Sequence, residues 1–377
     1  MKKAASIYDI KQKSKDGIKH HITVVINNPI YQTSECEQVF FDLFDYISKH
    51  NIRILQERIY GLVSKSSEIL GARKAAAKKT NQNQIPATFL EGAPCIGGNF
   101  AGIHITGVSS IDNKASVTTI KDNKKLIGRV FENRLVKEIF LSGISDYQNA
   151  SSLAEHTRLM FYKAKRILEK ENADLKNIIR TWIYFPRILD WYGEFNKARN
   201  KCFKEFRLIS EKKIYLPAST GIKGKRFKGE ECFMDLLAII PKSEEIKISV
   251  MDNRLQNEAF DYGSAFSRGI KVSCNNKSHF YISGTASIDN KGKTTYYNDP
   301  QGQITETLLN IASLLESEDA GLKNIARIAG YCKNKEVYEK AKQIIKSFDL
   351  ESIPFIFLFA DVCREELLFE AAVIAVN

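Results

Sequence analysis

The chain repeats itself, and the repeat limits what the chain can fold into. Residues 173–180 read ADLKNIIR, and residues 320–327 read AGLKNIAR. Each repeated segment is preceded by an amphipathic helical pattern. Before that pattern comes a strand that ends in small residues, SGIS at 142–145 and SGTAS at 283–287. Self-similarity of this kind is typical of a chain built from copies of one structural unit. We therefore expect function to lie where the copies meet and where they differ.

The two copies predict the same order of elements, and a weaker third copy precedes them. Apolar residues such as Met160 and Phe161 recur at helical spacing, and β-rich runs separate the helices. We predict units at 125–240 and 270–377, each with the order strand, strand, helix, strand, helix, strand, strand. Residues 1–110 match this order loosely and are predicted to form a degenerate first unit.

Composition excludes several classes of protein. No apolar run in the 377 residues approaches the roughly 18 residues of a membrane span. The seven cysteines are scattered without Cys-x-x-Cys spacing, and the six histidines form no ligand pattern. We therefore predict a cytoplasmic protein with no membrane segment, no disulfide framework and no metal site.

The net charge of +12 has two interpretations. The only dense basic clusters are at 73–79 and 121–125, and the sequence contains no recognised nucleic-acid motif. Spread-out lysines favour solvated surfaces over nucleic-acid binding. A small anionic ligand is the alternative explanation of the charge.

The predicted unit resembles the Rid (YjgF-like) family, which comprises small trimeric proteins with clefts between subunits. The resemblance is carried by Ser-Gly before the first helix, by PASTGI at 217–222, and by the closing phrase EAAVIAV at 370–376. It implies an α+β fold in which each unit is a mixed sheet with two helices on one face. Three such units would form a pseudo-trimer within one chain. Because the copies can satisfy each other's interfaces, we expect a monomer or a weak oligomer.

The copies depart from that family at two functional positions. Its deaminases use an arginine after Pro-Ala, where this chain has Thr88, Ser219 and Ile356. The acidic residue of the closing strand is present only in the third copy, as Glu370. None of the clefts is therefore expected to be an ordinary imine deaminase, and only one is expected to be complete.

A multi-copy chain of this kind with a single glutamate is similar to the chorismatases. Those enzymes convert chorismate to pyruvate and either a dihydroxycyclohexadiene carboxylate or a hydroxybenzoate. Further matching phrases are RTW at 180–182, TGI at 220–222, SAFSR at 264–268, GTAS at 284–287 and CR at 363–364. The segment ILDWYGEFN at 188–196 is interpreted as the mark of a divergent branch. The resemblance implies no metal and no organic cofactor.

Glu370 is the predicted catalytic acid. Cleavage of chorismate requires protonation of an enol ether at carbon, which needs a carboxylic acid that is still neutral near pH 7. Burial on a strand would raise the pKa of Glu370, because a low-dielectric site disfavours the charged form. The alternative is a surface glutamate or one paired with arginine.

The remaining candidate residues would hold the two carboxylates of the substrate or form the wall beneath it. Arginine suits carboxylates because its planar fork donates two parallel hydrogen bonds. Each arginine could instead have a structural role, and the glycines could simply serve turns. The candidate substrate-binding residues are Arg180, Tyr192, Arg199, Tyr215, Thr220, Gly221, Arg268, Gly284, Thr285, Ser287 and Arg364.

Cys363 is the second predicted catalytic residue, and it bears on the product. In chorismatases a cysteine at about this position accompanies the hydroxybenzoate product, and a branched aliphatic residue accompanies the dienediol. The neighbouring Val362 would reverse the inference if the alignment shifted by one residue. We favour 3-hydroxybenzoate. Two other functions compete, namely a different reaction on an anionic enol or imine, and a non-catalytic binding or scaffold protein of the same fold.

Overall fold

A computed structural model of the chain describes residues 3–82, 84–111, 115–148, 150–210, 215–225 and 232–377. These residues form three mixed β-sheets, and two long helices pack against one face of each sheet. Among them, no helix combines the length and the apolar composition needed to cross a bilayer.

The first sheet and its helices come from the N-terminal part of the chain. The elements are β1 (Ala5–Ser14), β2 (Gly17–Ile26), α1 (Thr33–Lys49), β3 (Arg53–Gly61), α2 (Ser66–Lys79), β4 (Ala87–Glu91) and β6 (Phe100–Ser109). The short strand β5 (Ala93–Pro94) from this part of the chain joins the third sheet.

The second sheet and its helices come from the middle part of the chain. Its elements are β7 (Ser116–Asp122), β8 (Lys125–Glu132), β9 (Val136–Ile144), α3 (Leu153–Lys170), β10 (Ile178–Phe185), α4 (Ile188–Glu205), β11 (Ala218–Lys223) and β12 (Phe233–Pro241).

The third sheet completes the chain. Its elements are β13 (Ile246–Val250), β14 (Gly269–Cys274), β15 (Lys277–Ala286), α5 (Pro300–Glu316), β16 (Ile325–Cys332), α6 (Lys335–Ser347), β17 (Phe355–Phe359) and β18 (Phe369–Val376).

The three sheets share one order of five strands, to which the second sheet adds β7 and the third adds β13 and β5. The orders are β1-β2-β6-β3-β4, β7-β8-β9-β12-β10-β11 and β13-β14-β15-β18-β16-β17-β5. Across each sheet, the hairpin lies beside the closing strand of the unit. Next to the closing strand lie the two strands that come after the helices in the sequence. Those last two strands are parallel, because a helix crosses between them. The shared order confirms the α+β fold of tandem units in a pseudo-trimer.

The helix patterns in the sequence correspond to buried faces. The apolar stripe of α1 is fully buried, and Pro300 at the start of α5 follows Asp299, whose side chain accepts a hydrogen bond from the amide of Gly302. Helix α1 begins at Thr33, and the preceding Gln32 forms a capping box with Glu35.

The faces of the sheets that carry no helices pack against one another in a single central core. Tyr60 from the first unit, Trp182 from the second and Tyr281 from the third all belong to it. Each unit also has a separate core between its sheet and its helices. The central core is therefore what joins the three units.

A buried ion pair lies where the first and second units meet. Arg58 Nε donates to Asp235 Oδ2 at 2.8 Å, and the guanidinium lies 3.5 Å from the ring centroid of Trp182. The other oxygen of Asp235 accepts from the Thr88 hydroxyl at 2.8 Å and from the Gly143 amide at 2.7 Å. Both charges are desolvated, so the loss of one partner leaves the other uncompensated.

We expect Asp235→Asn to lower the free energy of unfolding by about 3–5 kcal/mol, because Arg58 would remain buried without its counter-charge. Urea denaturation followed by circular dichroism measures the change. The matched control is Asp349→Asn, because Asp349 is an exposed partner of Lys323 at 3.9 Å. The control is expected to stay within about 0.5 kcal/mol of the unsubstituted chain. Equal effects of the two substitutions would contradict the structural role of the pair.

Candidate active site

The candidate site lies in the cleft between the second and third units. The edge strand β11 approaches the third sheet there, and the Ser219 amide donates to Ser283 Oγ at 2.8 Å. The Ser267 amide donates to the Pro217 carbonyl at 3.0 Å on the same boundary. These contacts hold strands of two units side by side, so residues from both can face one cavity.

The cavity encloses about 40 Å³ of free space. That volume holds a few water molecules, so binding of a larger molecule requires side chains of the lining to move. The second unit contributes residues of β10, α4 and β11, and the third contributes the strand ends around β15 and β18. The lining residues are Ile183, Tyr192, Phe195, Arg199, Ser219, Gly221, Ser264, Phe266, Arg268, Gly284, Ala286, Ile288, Cys363, Arg364 and Glu370.

Glu370 is the one carboxylic acid in this lining. It lies on β18 between Ala286 of β15 and Tyr331 of β16, and it is only 4% exposed. A Cβ atom at Gly284 would collide with Glu370 Oε1 and would lie 3.2 Å from the methyl group of Thr220. Gly284 therefore makes the space that the carboxyl group occupies, and we expect no larger residue to be tolerated there.

The surroundings of Glu370 favour the protonated form of its carboxyl group. Burial raises the pKa of this carboxyl from 4.5 to about 8, and the positive charge of Arg180 opposes the shift only in part. No hydrogen bond to its oxygens is found among the residues that the structure describes. The group is therefore a neutral acid near pH 7, which is the state that a general acid requires.

Three arginines face the same cavity from different elements. Arg199 Nη2 on α4 donates to Asn196 Oδ1 at 2.7 Å, and Arg268 Nε donates to the Asn257 carbonyl at 3.0 Å. Arg364 Nη1 reaches the hydroxyl of Thr294 at 3.4 Å. With Glu370 protonated, the ionised groups of the lining are these three cations, so the cavity favours an anion.

Cys363 also lines the cavity, next to Arg364. Burial, and to a smaller extent the charge of Glu370, raises the pKa of its thiol to about 12. The thiol is therefore neutral at physiological pH and is not a nucleophile. Val362 is 2% exposed and belongs to the central core instead.

Five of the predicted binding residues lie outside this lining. Arg180 is completely buried behind the cleft, where it donates to the Thr181 carbonyl and the Thr220 hydroxyl. The Thr285 hydroxyl donates to the Ser283 carbonyl at 3.0 Å. Thr220 therefore contacts Arg180 through its hydroxyl and lies beside Gly284 and Glu370 through its methyl group. A direct contact between Arg180 and a substrate would require the lining of the cavity to open.

The other two residues of this group also have different surroundings from those expected. Ser287 pairs with the hydroxyl of Thr295 at 2.6 Å. Tyr215 is 45% exposed, and its amide donates to the Leu208 carbonyl at 2.7 Å. Neither residue faces the cavity, so we omit both from the proposed site.

Several lining residues were missed in the sequence. Phe195 precedes Arg199 by one helical turn, and their shared helix face could have indicated it. Ser264 and Phe266 lie in the phrase that contains Arg268, so that phrase contributes three lining residues rather than one. The sequence gives no indication that Ile183 and Ile288 line a cavity, because an apolar residue is as common in a hydrophobic core as in a binding site.

The corresponding positions between the other units carry different residues. Between the first and second units, Asp235 occupies the boundary with Arg58 and Thr88. Between the third and first units, Ile356 packs so closely on Gly102 that a Cβ there would lie 2.9 Å from Ile356 Cδ1. The short strand β5 also pairs with β17 across that boundary. The boundary between the second and third units is thus the one at which Glu370 lines a cavity.

We expect Glu370→Gln to stabilise the protein at alkaline pH. Glu370 has a folded pKa of about 8 against an ordinary value of 4.5, so the folded state retains a proton that the unfolded state loses. Stability of the unsubstituted chain therefore falls as the pH rises from about 4.5 to about 8. The glutamine variant lacks this titration and should melt at least about 3 °C higher at pH 9, with a smaller gain at pH 5.

Differential scanning calorimetry at both pH values measures the effect. The matched control is Glu339→Gln on the exposed surface of α6, for which the difference in Tm should be the same at pH 5 and pH 9. A pH-independent difference for Glu370→Gln would contradict the raised pKa.

No protein-family model matches the chain, and no curated protein sequence matches it. Among solved structures, a chorismatase crystal structure matches with a TM-score of 0.61 and 16% sequence identity, covering 85% of this chain and 92% of that one. A putative endoribonuclease L-PSP from Entamoeba histolytica matches with a TM-score of 0.30 and 20% identity, over 35% of this chain and 100% of its own. RidA from the Antarctic bacterium Psychrobacter sp. PAMC 21119 matches with a TM-score of 0.29 and 15% identity, over 34% and 99%. The chain therefore has the fold of the chorismatase structure over most of its length.

Proposed function

We propose that this protein is a chorismatase-like enzyme that cleaves chorismate to pyruvate and a hydroxybenzoate. The observation that carries the proposal is a single buried carboxylic acid, with a pKa of about 8, in a cavity that three arginines also line. The fold shared with a chorismatase supports it.

The charge of the cavity matches the charge of the substrate. Chorismate carries two carboxylates, and Arg199, Arg268 and Arg364 offer guanidinium groups on separate sides of the lining. Arginine binds carboxylates with two parallel hydrogen bonds, which fixes orientation as well as position. Such clamps would hold the enol ether of the substrate next to Glu370.

The first chemical step is a proton transfer to carbon. Glu370 gives its proton to the methylene carbon of the enol ether, which becomes an oxocarbenium ion, and Glu370 becomes a carboxylate. Water or the ring hydroxyl attacks that ion, and Glu370 takes back a proton from the attacking group. After attack by water, the hemiketal collapses to pyruvate and the dienediol. After attack by the ring hydroxyl, a cyclic ketal forms, its bond between ring carbon C4 and oxygen breaks, and the proton lost from C3 passes to that oxygen. The resulting hemiketal then releases pyruvate and 3-hydroxybenzoate. General acid–base catalysis of this kind contributes about 10²- to 10⁴-fold in rate.

The proposed second product is 3-hydroxybenzoate. In that outcome chorismate divides into pyruvate and a hydroxybenzoate with no net addition of water. The choice rests on Cys363, which lines the cavity, whereas the neighbouring Val362 is part of the central core. A neutral thiol adds no charge to the site, which suits a role in shape rather than in proton transfer.

The absence of the deaminase arginine favours one alternative. Ser219 occupies the position after Pro-Ala, so a protein of this fold that binds an anion without turning it over would have the same cavity. A different reaction on an anionic enol or imine would use the same acid. Both alternatives predict no pyruvate from chorismate.

We expect the purified protein to release pyruvate from chorismate and Glu370→Gln to lower kcat by at least about 10²-fold, because the amide cannot supply the proton. Coupled lactate dehydrogenase detects the pyruvate, and chromatography identifies the aromatic product. Glu339→Gln is the matched control and should retain full activity. No pyruvate from the unsubstituted protein would exclude the reaction. Unchanged turnover in Glu370→Gln would exclude the mechanism and leave the reaction.

The rate should also depend on pH in a defined direction. The active form of Glu370 is protonated, so kcat/KM should be level below about pH 8 and fall about tenfold for each unit above it. Initial rates between pH 6 and pH 10 measure the profile. An increase in kcat/KM above pH 8 would indicate that the carboxylate, not the acid, is the active form.

A further inference from the structure

A second, larger cavity lies where a hairpin from each unit meets. Its walls come from the β1–β2 turn of the first unit, the β8–β9 turn of the second and the β14–β15 turn of the third. It encloses about 420 Å³ and shares no lining residue with the candidate active site. We call it the three-hairpin cavity.

The walls of the three-hairpin cavity are largely apolar. Val108 comes from the first unit, Phe131 and Leu135 from the second, and Ile246 and Val272 from the third. Apolar surface that lines an open cavity is stabilised when an apolar group covers it. The walls therefore favour a ligand with a hydrocarbon body.

The floor contains a paired charge and an imidazole. Lys19 Nζ bonds both oxygens of Glu138 at 2.6 Å, so these charges satisfy each other. The ring of His279 lies against Tyr281, and its Nε2 atom is buried without a hydrogen-bond partner in the described part of the chain. Burial lowers the pKa of His279 well below 6.5, so the ring is neutral and can hydrogen-bond a polar group.

The rim carries positive charge that is not neutralised within the described residues. Lys13 and Lys277 are exposed at the mouth and form no ion pair there. Lys15, by contrast, lies 3.7 Å from Glu245. Two cations above an apolar wall match a molecule with an anionic head and an apolar body.

We propose that the three-hairpin cavity binds an amphipathic carboxylate, with an alkyl chain along the apolar walls and the carboxylate between Lys13 and Lys277. This site is additional to the proposed chorismate site and does not depend on that function. A ligand there touches all three units at once and stabilises their mutual arrangement.

Isothermal titration of the full chain with decanoate, at low ionic strength, tests the proposal. We expect saturable binding of one molecule per chain. Octanoate should bind about tenfold more weakly, the order expected for two fewer buried methylene groups. Decylammonium, which has a similar chain and the opposite charge, should show no saturable binding. Comparable binding of decylammonium would overturn the assignment of the rim.

Two variants locate the site. The double substitution Lys13→Glu and Lys277→Glu should weaken decanoate binding at least tenfold, whereas Lys335→Glu with Lys346→Glu on α6 makes the same charge change elsewhere and should leave it unchanged. Val272→Trp should fill the cavity and abolish binding, and circular dichroism checks that each variant is folded. Equal affinities for the two charge-reversed variants would overturn the proposal. Light scattering that shows a dimer lost in Val272→Trp would overturn it too, because a second copy would then be the occupant.

Discussion

Each sheet of this chain has two apolar faces, and the unit's own two helices cover only one of them. The second face must be buried against something else, and here the three sheets bury it against each other. Single-unit proteins of similar design would have to associate as separate chains to satisfy the same constraint. In this chain the association is covalent, so the central core, the ion pair of Arg58 with Asp235 and the cleft beside Glu370 all depend on that one packing arrangement.

Covalent linkage also allows the three boundaries to differ. In a symmetric trimer one substitution changes every boundary at once, whereas here each boundary has its own residues. One boundary has a buried ion pair with Asp235, and another has Ile356 packed on Gly102. The boundary with Glu370 has a cavity and a carboxylic acid that is costly to ionise. A destabilising acid is therefore confined to one of the three boundaries.

The sequence predicted the fold class well because its strongest signals are periodic. The repeated segments indicated two units, and the looser match of residues 1–110 to the same order of elements indicated a third. It did not predict the edge strands β7 and β13. The latter reads IKISV, an alternating pattern that could have indicated a strand. The two strands occupy the same edge of the second and third sheets, but their sequences, SVTTIKD and IKISV, share no repeated segment that comparison of the copies could match.

Side-chain direction in the site was harder to predict than residue identity. Glu370 was found because the copies disagree at that position. Thr285 and Ser287 were predicted together with Gly284, although alternate residues of a strand face opposite sides. The register of β15 also shifts between Ile282 and Thr285, and Gly284 and Ala286 are the residues that line the cavity. A bulge of this kind depends on the pairing of two strands and leaves no clear mark in either one.

The position of β18 has a consequence for how Glu370 can reach water. This strand carries Glu370 and lies in the interior of the third sheet, where it pairs with β15 on one side and β16 on the other. Because hydrogen bonds hold both of its edges, β18 cannot separate from one neighbour alone and still leave the sheet. Full hydration of the acid by loss of the strand therefore requires the middle of the third sheet to open. Release of the strain of burying this acid and loss of the fold in that unit would then coincide.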